Sequence, residues 1–235
     1  MKRIILVVLV LLISNISFSQ IKQRSSSITH YLGIGYKFVF LTNQAARDAY
    51  PFFQLSNGDF MKEIDGFLGV NINEKYAIEL APSYLFTNSL NSDGYYFNNS
   101  SGNRFYAPTQ SRLFAVPLSL KFKFFPFAKN YASSISKLYF MAGGGGMYIN
   151  EEIAAQIYLD ESEVTFLGAR TFENSFWTGN YEFAVGISSF SKIGYGFELS
   201  YRLVPITNQS NIPVITSVAK NFNSINFTAN IVFTF

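Results

Sequence analysis

The chain has 235 residues, of which 49% are hydrophobic, 18% aromatic and only 14% charged, with no cysteine and one histidine. A formal net charge of +3, which falls to 16 basic against 15 acidic residues once Lys2 and Arg3 are set aside, gives no ground for nucleic acid as a partner. The lack of cysteine rules out a disulfide framework, a lipid-anchored cysteine and a thiol nucleophile, and a lone histidine leaves few ligand sets for zinc.

At the start of the chain, Lys2 and Arg3 precede an apolar run from Ile4 to Ile13, and the small residues Ser17 and Ser19 stand just before Gln20. This is the layout of a cleaved signal peptide over residues 1–19. The run is shorter than the about 20 residues a membrane-spanning helix needs. Residues 20–235 then fit one domain, and no later apolar run approaches helix-spanning length.

Eight strand-like segments follow in chain order: Tyr31–Phe40, Glu63–Ile72, Tyr76–Phe86, Phe114–Phe124, Leu138–Tyr148, Asn180–Ser188, Ile193–Leu203 and Asn226–Phe235. Most alternate with a period of two, the mark of a strand with unlike faces. In the seventh, Ile193, Tyr195, Phe197, Leu199, Tyr201 and Leu203 fall on one face, against Gly194, Gly196, Glu198, Ser200 and Arg202. The fifth is glycine-rich and reads less sharply, and Pro82 and Pro117 interrupt two others with residues that cannot donate to a ladder.

The connections alternate between long and short. Asn73–Lys75, residues 126–136 and Ser189–Lys192 are the shorter links; Leu41–Phe60, Thr87–Ser111, Asn150–Trp177 and Val204–Asn221 are the long ones. In an up-and-down meander alternate links lie at opposite ends, as in outer-membrane barrels with short periplasmic turns and longer outer loops. The expected fold is an all-β, closed antiparallel up-and-down transmembrane barrel of eight strands. The link Asn150–Trp177 holds two apolar runs around Asp160–Glu163; it is read as a hairpin extending the fifth and sixth strands, with a ten-stranded barrel as the alternative.

Two arguments decide which face is inside. The apolar face carries more large Phe, Tyr, Leu and Ile than a small lumen could hold, whereas the other face is rich in Gly, Ala and Ser. Charges facing lipid would cost several kcal/mol, yet Glu63, Asp65, Glu79, Lys121, Lys123, Glu182, Glu198 and Arg202 all share the second face. These eight are expected to form a lumenal charge network, a plug that leaves no open pore; a proton or ion path is the alternative. On the final strand, the face carrying Phe227, Phe233 and Phe235 is then turned to lipid.

The segments "VPLSLKFKF" (Val116–Phe124) and "MAGGGGMY" (Met141–Tyr148), together with the ending "NFTANIVFTF", resemble the outer-membrane β-barrel, PorT-like family of Bacteroidetes. The signal-peptide ending "FSQ" is similar to those of that phylum. The resemblance implies a barrel domain over residues 20–235, with Phe233 and Phe235 as the terminal motif presented to the barrel-assembly machinery. It also implies, as an alternative role, an accessory subunit of a secretion or assembly complex.

Signs of catalysis are few. His30 stands at a strand end with no acidic neighbour in sequence and reads as a boundary residue. Gly143–Gly146 lacks the Lys-Ser/Thr of a phosphate loop and suits strand bending or close approach of bulky side chains. Asp160–Glu163 reads as a solvated loop tip in preference to a calcium site. The aromatic runs Tyr50–Phe53, Gly94–Asn99 and Phe172–Trp177 belong either to binding loops or to an aromatic belt. The reading is a non-enzymatic protein of a Gram-negative outer membrane, without cofactor, acting through long outer loops. Its partners would be outer-membrane lipids, the assembly machinery and other envelope proteins, with a small channel as a further alternative.

Overall fold

Alternation in residue type becomes a sheet that closes on itself. The computed structural model describes residues 28–44, 61–86, 90–98, 101–128, 137–206 and 220–235. The expected signal peptide and the run Tyr50–Phe53 lie outside the described residues. The strands are β1 (Ile28–Leu41), β2 (Met61–Ile72), β3 (Tyr76–Phe86), β4 (Leu90–Asn98), β5 (Arg104–Phe124), β6 (Leu138–Tyr158), β7 (Phe166–Ser188), β8 (Ile193–Leu203) and β9 (Ser224–Thr234).

Eight of these make the barrel. The order runs β3-β2-β1-β9-β8-β7-β6-β5, and a β3–β5 pairing from Tyr76↔Phe124 to Phe86↔Phe114 closes the ring. All pairings are antiparallel. The last strand lies against the first from Tyr31↔Thr234 to Leu41↔Ser224, and Phe235 N–H donates to the His30 carbonyl at 3.0 Å. The chain end is therefore tied into the ladder.

The ninth strand is one the sequence did not reveal. Among the described residues β4 pairs only with the upper part of β5, through Tyr95↔Ala107, Tyr96↔Tyr106 and Phe97↔Phe105. Its run "LNSDGYYFN" has no clean period of two, so it read as loop. The link Asn150–Trp177 extends the fifth and sixth barrel strands, which are β6 and β7 here, and the ten-stranded alternative is not what forms. Pairing of β6 with β7 continues unbroken from Leu138↔Ile187 to Ile157↔Gly168. Upper β5, β6 and β7 thus rise with β4 as a four-stranded sheet at the long-link end.

Both prolines sit where the ladder skips. The β2–β3 register passes from Asp65↔Ser83 to Leu68↔Leu80, leaving out Pro82; the β3–β5 register passes from Pro82↔Leu118 to Leu85↔Ala115, leaving out Pro117. A proline removes a donor only where a partner would have accepted it, so both strands persist.

Inside, two apolar layers enclose polar ones. Towards the long-link end Leu41, Met61, Leu85, Leu113, Met147 and Phe176 belong to one buried cluster. Towards the short-turn end Tyr31, Phe67, Phe125 and Tyr139 form another, with Phe190 packed against it.

The β2–β3 turn stores strain at a single position. Lys75 N–H donates to the Ile72 carbonyl at 3.2 Å, and Asn73 and Glu74 both have positive φ, 55° and 59°. That conformation suits Asn-Gly and disfavours Glu. Glu74→Gly is expected to stabilise the barrel by roughly 0.5–1 kcal/mol, less the entropy glycine adds to the unfolded chain. Urea unfolding of the protein in lipid vesicles would read the change; a loss of stability would mean that Glu74 makes a compensating contact.

Candidate functional site

Each inward-facing charge comes from the polar parity of its strand. Lys37 lies on β1, Glu63 and Asp65 on β2, Glu79 on β3, Lys121 and Lys123 on β5, Glu182 on β7, and Glu198 and Arg202 on β8, all buried. Glu151 on β6 is buried as well, above them; burial of so many ionisable groups is tolerable only if they find partners.

The nine lie in two tiers. In the upper one, Arg202 makes a bidentate contact with Glu63, Nη1 to Oε2 at 2.7 Å and Nη2 to Oε1 at 2.9 Å. Lys37 Nζ lies 3.2 Å from Glu182 and 3.5 Å from Glu63, while Lys121 Nζ lies 3.4 Å from Asp65 and 3.5 Å from Glu182. Glu182 is the hub: three cations surround it, and Ser200 Oγ donates to it at 2.6 Å. In the lower tier Lys123 Nζ is 2.6 Å from Glu79, which also accepts from the Tyr31 hydroxyl at 3.0 Å. The Tyr139 hydroxyl donates to Glu198 at 2.8 Å, and Lys123 sits 4.7 Å above the centre of the Tyr139 ring.

The eight charged residues singled out from sequence all lie in this network. Three members were not singled out. Lys37 shared the same parity and was the legible omission. Tyr31 and Tyr139 are aromatic and so carried no polar signal, although each turns its hydroxyl onto a carboxylate.

The glycine run now has a local reason. Gly143 faces Lys121 across the ladder, and a Cβ there would come within 3.1 Å of the lysine stem. Gly144 and Gly146 lie on the outer face, beneath the rings of Tyr181 and Trp177. The run makes room for rings outside and a lysine stem inside.

The outer surface is the other half of the site. Leu120, Phe140, Phe183, Tyr195 and Leu199 are about half exposed, as are their counterparts around the ring. From Tyr76 to Phe86 a tilted strand covers a band roughly 25 Å tall. Its upper border is a row of rings across four strands, with Tyr84–Phe114 at 6.0 Å, Phe114–Tyr148 at 6.2 Å and Tyr148–Trp177 at 5.6 Å. Its lower border carries Tyr76 beside Phe124 at 5.6 Å, with Lys75 over both rings and Lys137 over Tyr195. Phe235 stacks on His30 at 6.5 Å along the same border, so the terminal aromatic and the one histidine cap the seam together. Phe233 is half-exposed on this face, and Val232 beside it is buried inward.

At the opposite end, the extended hairpin turns at Leu159–Thr165. Ser162 N–H donates to Asp160 Oδ1 at 3.0 Å and its hydroxyl bonds the same oxygen, so Asp160 organises the turn. Among the described residues no three acidic or histidine side chains come together as a metal site.

No model of a known protein family matches the chain, and no curated protein matches it. Solved structures similar to it are bacterial surface barrels. Neisserial surface protein A shares 9% identity over 90% of this chain and all of its own, with a TM-score of 0.39. Ail, the attachment invasion locus protein of Yersinia pestis, shares 7% over 91% of this chain and all of its own, at 0.44. A major outer membrane protein of Thermus thermophilus shares 12% over 89% of this chain and all of its own, at 0.43. Likeness at this level assigns no function.

Arg202→Met would leave Glu63 buried without its bidentate partner, and a loss of about 3–5 kcal/mol is expected. Adding Glu63→Gln should restore a large part of it, because the uncompensated charge is then gone. Urea unfolding of both variants in vesicles measures this; equal losses would mean that Arg202 acts by packing and not by pairing.

Proposed function

We propose that the chain is an integral outer-membrane protein of a Gram-negative bacterium, non-enzymatic, with a filled lumen and a surface-binding role exercised at its long-link end. The observation that carries this reading is the outer face. Between Lys62 and His30 at its borders, the outward positions of the eight barrel strands hold no charged residue, while the inward positions over the same span hold nine, with a tenth buried charge, Glu151, one step above it. A soluble barrel would reverse that arrangement. Aromatic rows bordering a band of membrane thickness support the same placement, as does a closed ring that leaves no barrel strand without partners in lipid.

Filling supports a sealed interior. Two apolar layers and a paired charge network occupy the space where a pore would run. A narrow path is the second reading, favoured by one feature: Asn226 Oδ1, Thr228 Oγ1, Asn230 Oδ1 and Thr234 Oγ1, buried without a protein partner among the described residues, run down the inner face of β9. Val232 interrupts that stripe and the upper apolar layer stands above it.

The PorT-like resemblance supports a third reading, an accessory subunit of a secretion or assembly complex in Bacteroidetes. In either membrane reading, Phe233 and Phe235 would be the residues the barrel-assembly machinery recognises. A stable set of co-purifying envelope proteins in mild detergent would favour the subunit; a lone barrel would favour the surface-binding role.

Placing Arg at Leu120, which is 59% exposed at mid-band, discriminates membrane from water. In a bilayer Leu120→Arg should cost about 2–4 kcal/mol and lower the yield of heat-modifiable barrel in the outer-membrane fraction. In a soluble barrel the same change would be nearly neutral, and that outcome would overturn the proposal. Planar-bilayer recordings should show no steady unitary conductance; steady channels would establish the narrow path.

A further inference from the structure

Within the two tiers of the lumen five carboxylates face four cations, so one negative charge is left over. Glu63, Asp65, Glu79 and Glu182 each have a lysine or arginine within 3.4 Å. Glu198 has none. Among the described residues its close partner is the Tyr139 hydroxyl alone, which donates to Oε2 at 2.8 Å. A buried carboxylate without a cation is costly, and one hydroxyl does not cancel its charge.

The surroundings of Glu198 are rich in oxygen and short of donors. Across the β8–β9 ladder it pairs with Thr228, which is buried and whose Oγ1 has no partner among the described residues. One inward row lower, about 7 Å along the strands, Gly196 pairs with Asn230. A Cβ on Gly196 would lie 2.4 Å from Asn230 Oδ1, so the bare position lets that amide oxygen lean across to β8 beneath Glu198. This oxygen is buried and unpartnered too. On the other flank, a Cβ on Gly186 would lie 2.5 Å from the Tyr139 hydroxyl, which crosses β7 there to reach Glu198. The nearby cations are engaged elsewhere. Lys37, the other ladder neighbour of Thr228, turns its ammonium to Glu182 and Glu63, and Lys123 is held by Glu79. Rings close the space below, with Tyr31–Phe190 at 4.8 Å and Phe125–Tyr139 at 5.3 Å. Above, Asn226 Nδ2 donates to Ser200 at 3.2 Å and Ser200 to Glu182.

We propose that Glu198 Oε1, Thr228 Oγ1 and Asn230 Oδ1 hold a small monovalent cation of sodium size, which completes the neutralisation of the lumen. A water molecule would satisfy the oxygens and leave the charge. A proton would neutralise the carboxylate and serve one oxygen, whereas a cation neutralises it and serves all three. A divalent ion would exceed the single charge to be balanced and would ask for more carboxylates than the one present. The unpartnered oxygens on β9 then form the wall of a site and not a path. The inference goes beyond the surface-binding role and rests on the filled lumen of that reading.

The test is urea unfolding of the full barrel in lipid vesicles, with heat-dependent mobility confirmed first for every variant. Sodium chloride is exchanged for N-methylglucamine chloride at constant total salt, the organic cation being too large for the site. The urea midpoint should rise with sodium and level off, as it must for a ligand that only the folded state binds. Thr228→Val keeps the shape and loses one oxygen, and should need roughly 10-fold more sodium for half the rise. Glu198→Gln should unfold at the same midpoint in both salts. In N-methylglucamine it should be no less stable than the unaltered protein, because no uncompensated charge is left. A midpoint indifferent to sodium overturns the proposal, and one that rises instead on acidification names a proton as the occupant. A sodium response retained by Glu198→Gln places the ion elsewhere and overturns it as well. Steady sodium current in planar bilayers would overturn the filled lumen itself, and this inference with it.

Discussion

The pairing of β1 with β9 is the constraint on which the rest depends. In hydrocarbon an unpaired peptide group has no water to turn to, so a sheet can span a membrane only by losing its edges. Here the last residue reaches back to His30, one residue before the β1–β9 register begins at Tyr31. Closure fixes which face of every strand points inward, because strands locked in one ring cannot slip register by one residue without turning every side chain over. The outer apolar band, the inner charges and the position of the terminal Phe are consequences of that one seam.

Eight strands enclose little space, and that turns polarity into a packing problem. Small residues alone would leave voids, and apolar residues alone would erase the contrast between faces that directs a chain into a membrane. The network around Glu182 resolves this with long side chains that fill volume and set four cations against five carboxylates, with the Tyr31 and Tyr139 hydroxyls donating to two of them. Its cost is a demand for completeness: each carboxylate needs a cation or a hydroxyl beside it, since removing a close partner leaves a buried charge under-compensated. Apolar layers above and below keep water from those contacts and raise the strength of each pair.

Parity made much of this legible before any coordinate. Ile193–Leu203 alternates without a fault in the sequence and forms β8 over that same range; the consistent placement of Glu182, Glu198 and Arg202 on one face located the network. Period-2 reasoning fails where a strand is not half-buried. β4 lies above the membrane band, where neither face is forced to be apolar, so "SDGYYF" carries no alternation to read. Tyr31 and Tyr139 were missed for a different reason. A phenol satisfies an apolar layer with its ring and a carboxylate with its hydroxyl, and a one-letter pattern records only the ring.

The membrane band and the projecting sheet pair their strands differently. Within the band every strand is flanked on both sides, and even the proline gaps at Pro82 and Pro117 fall inside a ladder that resumes within three residues. Above it, β5 and β6 continue for about ten residues beyond the level of Phe86, and β7 for 15 beyond its last pairing with β8 among the described residues. The long strands therefore do more than lengthen loops: they carry a register-fixed ladder beyond the apolar band, an ordered backbone whose ordering cost was already met when the barrel closed.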